Sequence, residues 1–243
     1  RPGTDRSTAS RVLRMKPSAV IFEPLHASEG RTEFARQMTP LVEKHGFTVE
    51  ILDTASLCDP SLATVQALAD RWSHAYPDLS TASLLVGSAL GGAVAHEILR
   101  TMSRDVPLIS ISAPSHATDR LDQLLEVVVS AATHFGAAAG ARALDEVVGA
   151  NSSEVGPLRA DATRRFASGL GVLRGTQCPG GGGRRRHLAI YGARLTLVRR
   201  ENACRCDAPT VVEIDGAGMR PLEAASNQVA AEVSQFLTSE PGK

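Results

Sequence analysis

Short apolar runs recur along the chain and alternate with stretches whose apolar positions return every three to four residues. Runs at 19–22, 48–53, 83–86, 108–112, 188–191 and 211–214 are nearly uniformly apolar. That is the pattern of strands covered on both faces. Helical periodicity occupies 31–45, 61–75, 91–102 and 222–237 between and after them. Strands separated by crossover helices predict an α/β fold with a doubly wound, mostly parallel sheet. Ligand sites of such sheets lie beyond the carboxyl ends of the strands.

The alternation breaks between 119 and 174, where an Ala-rich segment is punctuated by Gly136, Gly140, Gly149 and Pro157. Amphipathic helices inserted as a lid over the carboxyl edge fit this segment; an ordinary crossover helix with a long loop is the alternative. The expected organisation is a flexible segment at 1–18, a core made of 19–118 and 175–238, a helical lid at 119–174 and a tail at 239–243. The tetraglycine run after Cys178, followed by three arginines, reads as a flexible surface loop, because ordering glycines is entropically costly.

Composition narrows the function classes. The 243 residues suit one domain with an insertion. Lys and Arg total 26, and Asp and Glu total 26. This balance argues against nucleic acid or an anionic membrane as partner. An aromatic content of 4% argues against a platform for stacking bases. No apolar run reaches membrane-spanning length. The polar, basic start carries no signal-peptide core, so a cytoplasmic location is expected. Cys58, Cys178, Cys204 and Cys206 match neither a zinc site nor a dense disulfide framework, and read as reduced bystanders. No metal and no cofactor is expected.

The most informative stretch is Gly87-Ser-Ala-Leu-Gly-Gly92, which follows an apolar run and opens a helix. A strand-to-helix corner with this glycine spacing lifts its apex residue clear of the sheet beside backbone N–H donors. The apex here is Ala89, where an acyl-transfer enzyme needs a nucleophile. Three further segments accompany it: Phe22-Glu-Pro-Leu-His-Ala-Ser-Glu-Gly30, Ile109-Ser-Ile-Ser-Ala-Pro-Ser-His116 and Asp215-Gly-Ala-Gly-Met-Arg-Pro-Leu-Glu223. Together they resemble the oxyanion loop, the strand before the lid and the histidine loop of the α/β-hydrolase superfamily. Within it they resemble the discrete (type II) thioesterases of polyketide and nonribosomal peptide pathways.

The resemblance implies a triad of nucleophile, base and orienting acid. Those slots fall on Ala89, Met219 and Leu195, none of which ionises. It also places Ala27, Ser88, Leu90 and Gly91 in the oxyanion loop and elbow. Strand alternation turns Ser88 toward the opposite face, which reads as packing. His26 and Glu29 in the oxyanion loop are the candidate acid–base groups, with a structural hydrogen bond as the other reading of His26. His116 stands at the lid entrance and His134 within the lid, both also readable as surface histidines. Asp215 reads as a turn cap, and Glu201 as a weak candidate for a relocated acid.

The expected function is therefore a thioesterase-like protein that promotes a non-hydrolytic step on an acyl or polyketide intermediate. That ligand is free or tethered to an acyl or peptidyl carrier protein. Alternatives are a non-catalytic scaffold for a carrier or synthase, and a thioesterase whose serine is replaced at position 89.

Overall fold

The computed structural model describes residues 16–149, 157–177, 186–194, 197–202 and 210–239. Leu195, Cys178, Cys204, Cys206 and the tetraglycine run lie outside them. Six strands form one sheet: β1 (Ser18–Phe22), β2 (Thr48–Leu52), β3 (Leu84–Ser88), β4 (Leu108–Ile111), β5 (His187–Gly192) and β6 (Thr210–Ile214). Their order is β2-β1-β3-β4-β5-β6, with every pairing parallel. From β1 the chain moves one way to β2 and then crosses back to β3. The order thus reverses between β1 and β3, and the carboxyl ends of those two strands flank the crevice where doubly wound sheets bind ligands.

Two apolar cores cover the sheet. Helices α1 (Glu33–Glu43), α7 (Pro221–Ala224) and α8 (Ser226–Thr238) pack on one face with Leu84, Val86, Ile109, Ile111, Leu188 and Ile190. Helices α2 (Val65–Ala75) and α3 (Leu90–Thr101) pack on the other. There they are joined by α4 (Asp119–Phe135), α5 (Ala137–Val148) and α6 (Ala162–Gly171), the insertion between β4 and β5.

Element boundaries follow local hydrogen bonding. The 61–75 periodicity begins as a helix only at Val65, because Asp59 accepts from the Ser61 N–H at 2.8 Å and holds a turn until Thr64 caps α2. The 222–237 pattern is split into α7 and α8 at Ala225, whose φ of −146° and ψ of 52° are not helical. Cys58 is a free, buried thiol that burial pushes up to about 12, so it is inert as a nucleophile.

The insertion is tied to the sheet by charge. Arg165 of α6 is 1% exposed and pairs with Asp53, just past β2. Arg159 lies 3.6 Å from the same carboxylate. Backbone bonds from Arg159 N–H to Ala27 O (2.9 Å) and from Glu29 N–H to Pro157 O (3.1 Å) stitch the loop after β1 to the insertion. Removing one partner of a buried pair strands the other charge, at a cost of about 3–5 kcal/mol. Discounted for the partial exposure of Asp53, Arg165→Met is expected to lower unfolding stability in urea by about 2–3 kcal/mol. An unchanged denaturation midpoint would contradict this role.

Candidate functional site

The crevice begins at the β3–α3 corner. Ala89 sits there at φ 49° and ψ −118°, a conformation that costs a side-chain-bearing residue on the order of 1–3 kcal/mol. The strain is imposed by close backbone approach. A Cβ on Gly91 would lie 2.3 Å from the Phe22 carbonyl of β1, and one on Gly87 would lie 2.5 Å from the Gly91 carbonyl. Only glycines let the first turn of α3 drop this far onto the sheet. The Ala89 N–H donates to Ile111 O at 3.0 Å, so the corner is also pinned to β4.

Above the corner lies a cavity of about 540 Å³. Its walls are mostly apolar: Leu25, Leu90, Leu121, Leu125, Leu170 and Met219 carry the inner part. Ala89 and Met219 both line it; Leu195 lies outside the described residues. Leu90 opens α3, and its N–H has no hydrogen-bond partner among the described residues; the same holds for the Leu25 N–H. Both residues line the cavity. Leu25, in the loop after β1, is a cavity residue that the sequence does not single out. Its position three residues beyond the end of β1 is the only available signal.

His26 and Glu29 also line the cavity. Of the two ring nitrogens of His26, only Nδ1 has a hydrogen-bond partner among the described residues. Nδ1 donates to Ser28 O at 3.0 Å, while the buried Nε2 lies 3.7 Å from Glu23 and 3.9 Å from Asp53. Glu29 has no ion pair or side-chain hydrogen bond among the described residues. Ala27 and Gly91 pack behind the wall without lining it.

His116 lies outside the cavity, bridged to Gln177 and giving its carbonyl to Asn202 Nδ2 at 3.1 Å. His134 is exposed near the end of α4, beside the Phe135 ring. Asp215 and Glu201 are exposed and away from the cavity.

Glu23, at the end of β1, is the buried acid that no motif announces. It accepts from the N–H and hydroxyl of Thr32 at 2.8 and 3.0 Å, and its own carbonyl accepts from Thr54 at 2.6 Å. Burial pushes its carboxyl up, but His26 and the two Thr32 donors outweigh that and hold it below its usual value.

No protein-family model matches the chain, and no curated protein matches it in sequence. Solved structures do match. Homoserine O-acetyltransferase from Staphylococcus aureus superposes at a TM-score of 0.70 with 15% identity, over 94% of this chain and 87% of that one. The 2-hydroxy-6-oxo-6-phenylhexa-2,4-dienoate hydrolase of Rhodococcus sp. strain RHA1 gives 0.71 with 12% identity, over 92% and 91%. MenH from Staphylococcus aureus gives 0.62 with 12% identity, over 92% and 95%. At these identities the likeness establishes the architecture, an α/β-hydrolase fold.

Two outcomes test the local physics. Ala89→Gly relieves the positive φ and is expected to raise stability by about 1 kcal/mol, after glycine's entropic cost is subtracted. A loss of stability would show that the corner is not strained. Because Glu23 is depressed in the fold, its contribution is full above the unfolded value of 4.5 and fades as pH falls through its lower folded value. Unfolding midpoints measured downward from pH 5 should therefore fall more steeply for the native chain than for Glu23→Gln; parallel slopes would refute the linkage.

Proposed function

We propose that this α/β-hydrolase-fold chain holds an acyl- or polyketide-type molecule non-covalently, in a thioesterase-like groove from which the attacking chemistry has been lost. The observation that carries this reading is the apex itself: the strained corner is retained at φ 49° but presents a methyl group to the cavity. Met219 supports it, since this part of the cavity wall offers a thioether, which cannot serve as a general base. The volume of about 540 Å³ suits a small ligand, for which cavities of roughly 300–1,000 Å³ are usual. The leucine-rich wall favours an aliphatic body over a charged one. A chain tethered to a carrier protein would enter by the polar rim, leaving the carrier outside.

A second reading keeps catalysis without a covalent intermediate, and the unpaired Glu29 carboxylate on the cavity wall favours it. In that case the ligand is pre-organised by the walls and Glu29 moves a proton in a cyclisation, elimination or rearrangement. His26, whose Nδ1 is held by Ser28 O while its buried Nε2 has no hydrogen-bond partner among the described residues, then holds the loop beside Glu29.

Calorimetry with the decanoyl thioester of N-acetylcysteamine checks the binding claim. One ligand is expected per chain, weakened at least about tenfold by Leu125→Trp, which fills the cavity. Ala89→Ser is expected to remain without thioesterase activity, since Met219 cannot take up the proton. Absence of saturable binding, or turnover by Ala89→Ser, would overturn the proposal.

A further inference from the structure

The cavity does not stop at the insertion. Its lining draws on both cores, with Leu25, Leu90 and Leu121 from one and Phe34, Ile111 and Leu222 from the other. It therefore straddles the carboxyl edge of the sheet and reaches the space between α1 and α7. Along β3, Leu84, Val86 and Ser88 share the α1/α8 face, so Ser88 belongs to this second lobe. Ser88 is only 8% exposed, it lines the cavity, and its hydroxyl has no hydrogen-bond partner among the described residues. Ser88 Oγ therefore reaches the cavity space with no protein partner, and Ile111, Phe34 and Leu222 line the same lobe.

We propose that Ser88 forms an oxygen-binding subsite beside the elbow, selecting ligands that carry an uncharged hydroxyl or carbonyl group at that point. The inference rests on the ligand-binding reading of the same cavity and names the class of ligand within it: oxygenated acyl chains rather than plain hydrocarbons or free acids. Charge matching at the rim argues for an uncharged group. Arg36 is held by Glu33 at 2.7 Å, and Arg220 by Asp145 at 3.0 Å with Glu223 at 3.9 Å. Arg31 at the rim has no ion pair among the described residues, but Glu29 on the same wall has none either. The lining thus offers no net charge to an ionised head group. The hydroxyl of Ser88 both donates and accepts, so it serves a ligand hydroxyl or a ligand carbonyl equally well. Such a bond discriminates between ligands, because one that lacks the oxygen leaves the serine unpaired.

The test compares octan-1-ol with 1-chlorooctane, equal chains that differ in hydrogen-bonding capacity, by calorimetry on the whole chain and on Ser88→Ala. The ratio of their dissociation constants is expected to shift by about tenfold on removal of the hydroxyl. Neither the 1-chlorooctane affinity nor the thermal midpoint is expected to fall. A ratio that does not move, or equal weakening of both probes, overturns the subsite while leaving ligand binding intact. Tighter binding of octanoate than of octan-1-ol overturns the choice of an uncharged group. Failure of both probes to bind the native chain overturns the binding reading and the subsite together.

Discussion

The carboxyl edge of this molecule is organised by one steric contact: the first turn of α3 resting directly on the backbone of β1. The Gly91 position would place a Cβ 2.3 Å from the Phe22 carbonyl, so any side chain would push the helix away. With the helix seated, the peptide between β3 and α3 must turn through a corner that only a positive φ can make. Ala89 takes it at 49°. The turn leaves the Leu90 N–H unpartnered and brings Ser88, Ala89 and Leu90 onto one cavity wall. In an acyl-transfer enzyme this geometry is stored strain spent on presenting a nucleophile. Here the same strain supports an apolar floor.

A second constraint shapes the roof. The loop after β1 carries Leu25, His26 and Glu29 on the cavity wall, and it is fixed from behind by Glu23 and from above by the insertion. Asp53 serves both sides, facing His26 at 3.9 Å and pairing with the buried Arg165 of α6. Position of the loop and position of the helix are therefore coupled. His26 lines the cavity, whereas Glu23 and Asp53 beside it do not. Their neighbours are one another and the insertion, while Glu29 lines the cavity with no ion pair among the described residues.

The fold is legible in the chain because the four central strands are short apolar runs covered on both faces, and the glycines around Ala89 mark the corner between a strand and a helix. The place of Ala89 follows from the same local signals, whereas that of Met219 comes only from the family resemblance of its loop. What remains hidden is whatever depends on contacts distant in sequence. Nothing near His26 announces Arg165, and nothing near Glu23 announces that Thr32 will satisfy it. Strand alternation gives the face of Ser88 but not the lobe between α1 and α7 that its hydroxyl meets. The break at Ala225 is equally silent, because alanine is a strong helix former and only the packing of α7 against α1 interrupts the pattern.

The central claim is that a hydrolase corner has become a non-covalent binding surface. It is tested most directly by incubating the native chain with the decanoyl thioester of N-acetylcysteamine, then measuring thiol release and the intact mass of protein and ligand together. The account predicts thiol release at the buffer rate, no acyl adduct on the protein, and unaltered thioester recovered from the bound fraction. Accelerated release of the thiol, or a protein mass raised by one decanoyl group, would contradict it.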